Sequence, residues 1–138
     1  MDAKDAKVRE ERQGREDEVA SQLVDAAIAI HKVLGPGLLE SVYVAALEIE
    51  CAERGLPFAR EVAINAHYRG KPLGVGYRAD LIVDSRVLVE VKSVDTLLAA
   101  HLAQTLSYLR LSGLRVGLLM NFSAPLMKQG IKRFANNF

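Results

Sequence analysis

Apolar residues recur at helical spacing from Asp17 onward, with Val19, Leu23, Ala26, Ala27, Ile30, Val33 and Leu34 forming one stripe. Gly35-Pro36-Gly37 ends that helix, because two glycines around a proline neither continue it nor cap it in the ordinary way. A second helix is expected over residues 38–54, with Leu38, Leu39, Val42, Ala45, Ala46 and Ile49 as its stripe and Gly55 and Pro57 as its stop. The period then drops to two. Phe58, Arg60, Val62, Ile64 and Ala66 read as a first strand, Arg69-Gly70-Lys71-Pro72 as a turn, and residues 73–83 as a long second strand containing Gly74 and Gly76. Glu61 falls on the face opposite Val62. A third strand, 87–92, follows the tight loop Asp84-Ser85-Arg86. Asp95 is placed to cap a third helix that runs to about Ser112, with Leu98, Leu102, Leu106 and Leu109 inward and Gly113 ending it. Residues 115–122 read as a buried fourth strand, and residues 126–138, with Lys128, Lys132 and Arg133, as a short basic helix against the sheet edge.

The order α, α, β, β, β, α, β predicts an α/β fold with a mixed four-stranded sheet, helices packed on it and an extra N-terminal helix. A strand, a helix and a strand in succession make a crossover, so the fourth strand should run parallel to the third. Residues 1–16 are almost all charged or small and cannot bury a face, so they are expected to be frayed or disordered, leaving 17–138 as one domain.

Charge narrows the classes only a little. The formal net charge is +1, which is not the signature of a strongly basic nucleic-acid binder. Residues 1–18 hold seven acids and five bases, so the remaining residues carry thirteen bases against ten acids, a net +3. The single cysteine, Cys51, can form no internal disulfide and reads as a buried small hydrophobe. No apolar run is long enough to span a bilayer, so no membrane partner is expected and the reducing cytoplasm is the default setting. A homo-oligomer is left open.

The informative stretch is residues 76–93, where Asp80, Glu90 and Lys92 interrupt two strands that are otherwise apolar. Glu90 and Lys92 share a face because side chains alternate. A two-residue loop would pair Val83 with Arg86 and separate Asp80 from Glu90. A three-residue loop, or a bulge of the same effect, pairs Val83 with Val87 and sets Asp80 across from Glu90; that register is expected here. Two facing carboxylates in an apolar setting want a cation between them. With the Val91 carbonyl they would form an oxygen-only site suited to Mg²⁺ or Mn²⁺, with Lys92 directed at what the metal binds. The plain alternative, weighted equally from spacing alone, is a salt bridge of Asp80 or Glu90 to Lys92 or Arg78. Glu40 has two readings as well: a helix-dipole carboxylate, or a group pointing to the sheet from the side shared with Tyr43 and Leu47.

Gly37-Leu38-Leu39-Glu40-Ser41-Val42-Tyr43 resembles the signature of the GxxExxY proteins, and the likeness continues through Tyr68-Arg69-Gly70-Lys71, Arg78-Ala79-Asp80-Leu81, Glu90-Val91-Lys92, Gln104-Thr105-Leu106-Ser107-Tyr108 and Gly117-Leu118-Leu119-Met120-Asn121-Phe122. It covers about residues 20–124. That family is placed in the PD-(D/E)XK nuclease superfamily, with its restriction-endonuclease-like αβββαβ core. The resemblance implies a metal-dependent nuclease acting on nucleic acid, with DNA expected before RNA; the near-neutral charge favours the alternative, a silent nuclease-fold module that binds nucleic acid or protein. It makes Asp80 and Glu90 the metal ligands and Lys92 the catalytic lysine, and adds Glu40 to the acidic cluster. Gln104 and Tyr108 match the Q-x-x-x-Y element of RecB-like nucleases, which supports the site or contacts nucleic acid. His101 lies on the same helical stripe and is a weaker candidate for a phosphate contact. Ala79 stands where the superfamily's name has proline.

Overall fold

The computed structural model describes residues 2–136 of the chain. The elements follow the order α1 (Ala3–Leu34), α2 (Glu40–Glu53), β1 (Phe58–Tyr68), β2 (Lys71–Val83), β3 (Val87–Lys92), α3 (Ala99–Ser112), β4 (Val116–Asn121), α4 (Met127–Gly130) and β5 (Ile131–Ala135). They build one mixed sheet in the order β1-β2-β3-β4-β5. Only the β3–β4 pair is parallel, as the crossover through α3 requires.

Odd-numbered side chains of β3 (Val87, Val89, Val91) pack with the α1 stripe and with Tyr43, Leu47 and Cys51 of α2. Leu88 turns to the other side, where Leu109 of α3 packs with Tyr77 and Ala79. The central strands β3 and β4 are buried on both faces, which accounts for their near-continuous apolar runs. Among the described residues no helix is long and apolar enough to cross a membrane.

The structure departs from the pattern in five places. The charged start is helical from Ala3, with the Asp2 carboxylate accepting the Asp5 N–H at 2.9 Å. It buries almost nothing up to Gly14, but the Ala, Lys, Arg and Glu it contains favour helix, and α1 is tied down at Arg15, bonded to Asp84 at 2.9 Å, and at the buried Glu16, 3.6 Å from Arg115. The stripe of α1 also ends early, since Val33 is 83% exposed.

The buried face of α2 is Tyr43, Leu47 and Cys51, whereas Leu39 and Ile49 are 75% and 60% exposed. This helix is apolar on two sides, so periodicity alone does not choose, and the aromatic that fits against Phe122 decides it. Asp95 caps nothing. The helix α3 begins at Ala99, and His101 Nδ1 accepts the Leu98 N–H at 3.0 Å. Its buried positions are Thr105 and Leu109, and Leu98 is exposed.

The fifth departure is the C-terminal segment. One helical turn, α4, leads into the strand β5, so the sheet has five strands rather than four. A strand as buried as β4 needs its outer backbone groups bonded, and β5 pairs with it from Val116↔Ala135 to Met120↔Ile131. Residues 137 and 138, the end of the expected basic helix, lie outside the described residues.

Candidate functional site

The site is assembled first by the loop before α2. Gly35 and Gly37 take φ of 70° and 93°, a left-handed backbone open to glycine. The Tyr43 hydroxyl donates to the Gly35 carbonyl at 2.6 Å and accepts the Leu38 N–H at 3.1 Å, while its ring stacks on Phe122 with centroids 4.4 Å apart. One core tyrosine thus holds the loop closed and fixes where Glu40 enters the first turn. Ser93 Oγ donates to the Leu38 carbonyl at 2.6 Å, fastening the same loop to the end of β3.

The hairpin between β2 and β3 has the three-residue loop. Val83 pairs with Val87, Ile82 with Leu88 and Leu81 with Val89, and the loop is closed by Asp84 and Ser85 at φ of 55° and 54°. The next rung would join Asp80 to Glu90, and there the ladder stops. Leu81 belongs to the core under α1 and α2, yet Ala79, which strict alternation puts on the same face, packs on the α3 side. The switch of face falls at Asp80. On β1 it falls at Glu61, opposite Asp80 between the pairs Arg60↔Leu81 and Val62↔Ala79, where φ is 48°. With the strand turning over at this point, the Asp80 carboxylate lies along the hydrogen-bonding direction and accepts the Val91 N–H at 2.8 Å. Since the N–H and C=O of one strand residue point the same way, the Val91 carbonyl faces that opening too.

Glu90 is 6% exposed, and its Oε1 has no hydrogen-bond partner among the described residues. Burial first, and the nearby Asp80 charge second, push its carboxyl up to about 8. Asp80 is also raised, by burial and then by the charge of Glu40, with the Val91 N–H pulling the other way. Lys92 is half-buried and its charge favours ionisation of both carboxyls, but no ion pair within 4.0 Å joins Asp80, Glu90, Lys92 or Arg78 among the described residues. The salt-bridge alternative is therefore not what these strands adopt. A cavity of about 300 Å³ opens on Asp80 between α2 and the β1–β2 hairpin, lined by Glu40, Glu48, Arg60 and Glu61 among others.

On the far side of Glu90, the Tyr108 ring stacks on Tyr77 with centroids 3.8 Å apart, and the Tyr77 hydroxyl donates to the Tyr108 carbonyl at 2.8 Å. Burial first and then the Glu90 charge raise the phenol of each. Gln104 is exposed and lies within hydrogen-bonding reach of Tyr108. His101 is committed at Nδ1 to capping α3, which removes one of its two ring nitrogens from any phosphate contact. Two residues given no role by sequence belong to the setting. Glu61 faces Asp80, its signal being a carboxylate in mid-strand. Asn121, buried beside Lys92 in the parallel register, accepts the Val94 N–H and donates to the Val94 carbonyl, pinning the chain as it leaves β3.

A divalent cation suits this donor set. One buried carboxylate oxygen lacks a partner, a second carboxylate lies beside it, and both resist ionising without a positive charge. The donors are hard oxygens, which favours Mg²⁺ or Mn²⁺ over zinc. The set is short: among the described residues no group of three or more His, Cys, Asp or Glu is arranged to hold a metal, so Glu40 adds charge to the cleft rather than a third ligand.

Comparison with curated proteins and with solved structures returned no match. Comparison with protein families did: residues 17–134, from within α1 to the penultimate residue of β5, match the PD-(D/E)XK nuclease superfamily. With most of the chain matched to that family and a mixed sheet carrying Asp80 and Glu90-Val91-Lys92 on adjacent strands, the chain belongs to the PD-(D/E)XK nuclease superfamily.

Proposed function

We propose that this protein is a metal-dependent nuclease of the GxxExxY group that hydrolyses phosphodiester bonds in nucleic acid, DNA ahead of RNA, with Mg²⁺ or Mn²⁺ as cofactor. The observation that carries the reading is the buried Glu90 carboxylate, whose Oε1 lacks a partner beside Asp80 and near Lys92. The cleft is acidic: Glu40, Glu48, Glu61 and Asp80 surround one arginine, Arg60, which is itself 3.8 Å from Glu48. A polyanion gains nothing there until cations offset those charges.

Asp80, Glu90 and the Val91 carbonyl would hold the cation. When bound, it would neutralise the scissile phosphate and make water a stronger nucleophile at neutral pH. Lys92, an ammonium on the Glu90 face with no ion-pair partner among the described residues, would orient the attacking water and stabilise charge gathering on the phosphate oxygens. Glu40 keeps the cleft negative. Gln104 and Tyr108 wall the far side, with His101 at the start of the same helix. Incubation with DNA and with RNA under Mg²⁺ and Mn²⁺ tests the reading, and cleavage that persists in both Lys92→Ala and Glu90→Ala would sink it.

A second reading is a silent nuclease-fold module that binds nucleic acid or protein without turnover. The missing third ligand favours it. It predicts binding without cleavage and no effect of a divalent ion on the melting temperature.

A further inference from the structure

The motif Tyr68-Arg69-Gly70-Lys71 does not line the cleft, and the structure places it at the tip of the β1–β2 hairpin. The strands β1 and β2 are 11 and 13 residues long, against 6 for each of the central strands. Tyr68 pairs with Lys71 across a two-residue turn in which Arg69 and Gly70 take φ of 51° and 75°. Below the tip, register shifts at Ile64/Asn65 and Ala66/His67, together with Gly74 at φ 93°, add twist. One face of the hairpin packs through Val62, Ile64, Tyr77 and Ala79 against the α3 side. The other stays in solvent.

From Val62 to Ala79 the hairpin carries Arg69, Lys71 and Arg78 and no acidic residue. All three bases are exposed, and none is in an ion pair among the described residues. In a chain of net charge +1 this is a local excess, and it begins where the acidic cleft ends. The tip also offers planar surface: the Tyr68 ring is 61% exposed, with the Arg69 guanidinium carbon 5.3 Å from its centroid. Bases spaced along a strand suit a phosphate backbone, and an open aromatic ring with a guanidinium beside it suits the face of an unpaired base. In a duplex that face is hidden by its neighbours.

We infer that the β1–β2 hairpin from Val62 and Ala79 outward is a docking arm for single-stranded nucleic acid, in which Lys71 and Arg78 contact phosphates and Tyr68 with Arg69 forms a stacking platform. The inference rests on the reading of the Asp80–Glu90 cleft as a phosphodiester site, because the arm leads a strand toward it. From Lys71 to Asp80 the arm spans at most about 30 Å, the length of about nine stacked nucleotides.

The test is fluorescence anisotropy on the full chain in EDTA, where no cleavage intrudes, using labelled oligothymidylate about twice that length and a labelled duplex of equal length. The wild type should bind the single strand several-fold more tightly than the duplex. Tyr68→Ala should weaken single-strand binding about tenfold, and the double variant Arg69→Glu, Lys71→Glu more than that, with a shallower salt dependence. These side chains are exposed, so unchanged melting temperatures establish that the variants fold. Turnover of bis(p-nitrophenyl) phosphate by the Mg²⁺-loaded protein, which needs the cleft but no strand, should be unaffected. Equal affinity for duplex, or variants that bind as the wild type does, would overturn the arm. A protein that binds through the arm but never cleaves would overturn the nuclease reading and leave the arm standing.

Discussion

The Asp80 carboxylate accepts the Val91 amide at 2.8 Å, in the place where a regular ladder would supply a main-chain carbonyl. One side chain therefore serves the fold and the cleft at once: it satisfies a buried N–H and brings negative charge beside Glu90. The two roles separate by substitution.

Asp80→Ala strands the Val91 N–H and should cost about 1–3 kcal/mol of stability, whereas Asp80→Asn keeps an acceptor and removes the charge. In EDTA, thermal melts should rank Asp80→Asn at or above the wild type and Asp80→Ala below both. Adding Mn²⁺ should raise the wild-type melting temperature and leave both variants where they were.

Glu90 sets a pH dependence of known sign. Its carboxyl is raised from 4.5 to about 8, so between those values the folded protein holds a proton that the unfolded chain has released. This contribution is fully present below the lower value and is lost as pH rises through the upper one. Denaturation in EDTA should show metal-free stability falling across that window, and Glu90→Gln should flatten the fall.

Lys92 should matter to turnover more than to folding. With no ion pair to break, Lys92→Met should keep the cooperative melt of the wild type, while cleavage under Mg²⁺ drops by about 100-fold or more. A Lys92→Met variant that cleaves normally and melts higher would mark the lysine as an expendable counter-charge to Glu90.

Tyr43→Phe isolates the hydroxyl that holds the loop before α2. The stack on Phe122 survives, but the Gly35 carbonyl and Leu38 N–H lose their partner, at a cost of about 1–2 kcal/mol. Denaturant midpoints at unchanged slope should report that loss. Cleavage should fall as well, because the loop sets the position of Glu40.

Much of the architecture was legible along the chain. The α1 stripe through Ile30, the stop at Gly35-Pro36-Gly37 and the strand–helix–strand crossover all follow from local rules: side-chain period, turn chemistry and connection length. Loop length by itself allows two registers, and the Val83–Val87 pairing is the one that sets Asp80 across from Glu90. The buried face of α2, the start of α3 and the strand β5 did not follow, because each depends on a partner distant in sequence. Tyr43 turns inward because Phe122 is there, the chain after Lys92 is held by Asn121, and β5 forms because β4 has an edge to cover.

The site divides in the same way. Residue types and spacing marked two carboxylates and a lysine as out of place in apolar strands. Only the tertiary structure turned the strands over at Glu61 and Asp80, directed the Asp80 carboxylate at Val91, and left Glu90 Oε1 without a partner. Alternation along a strand is local and can be read from order. Where alternation fails depends on two cores pulling one hairpin to opposite sides of the sheet, which only long-range packing sets.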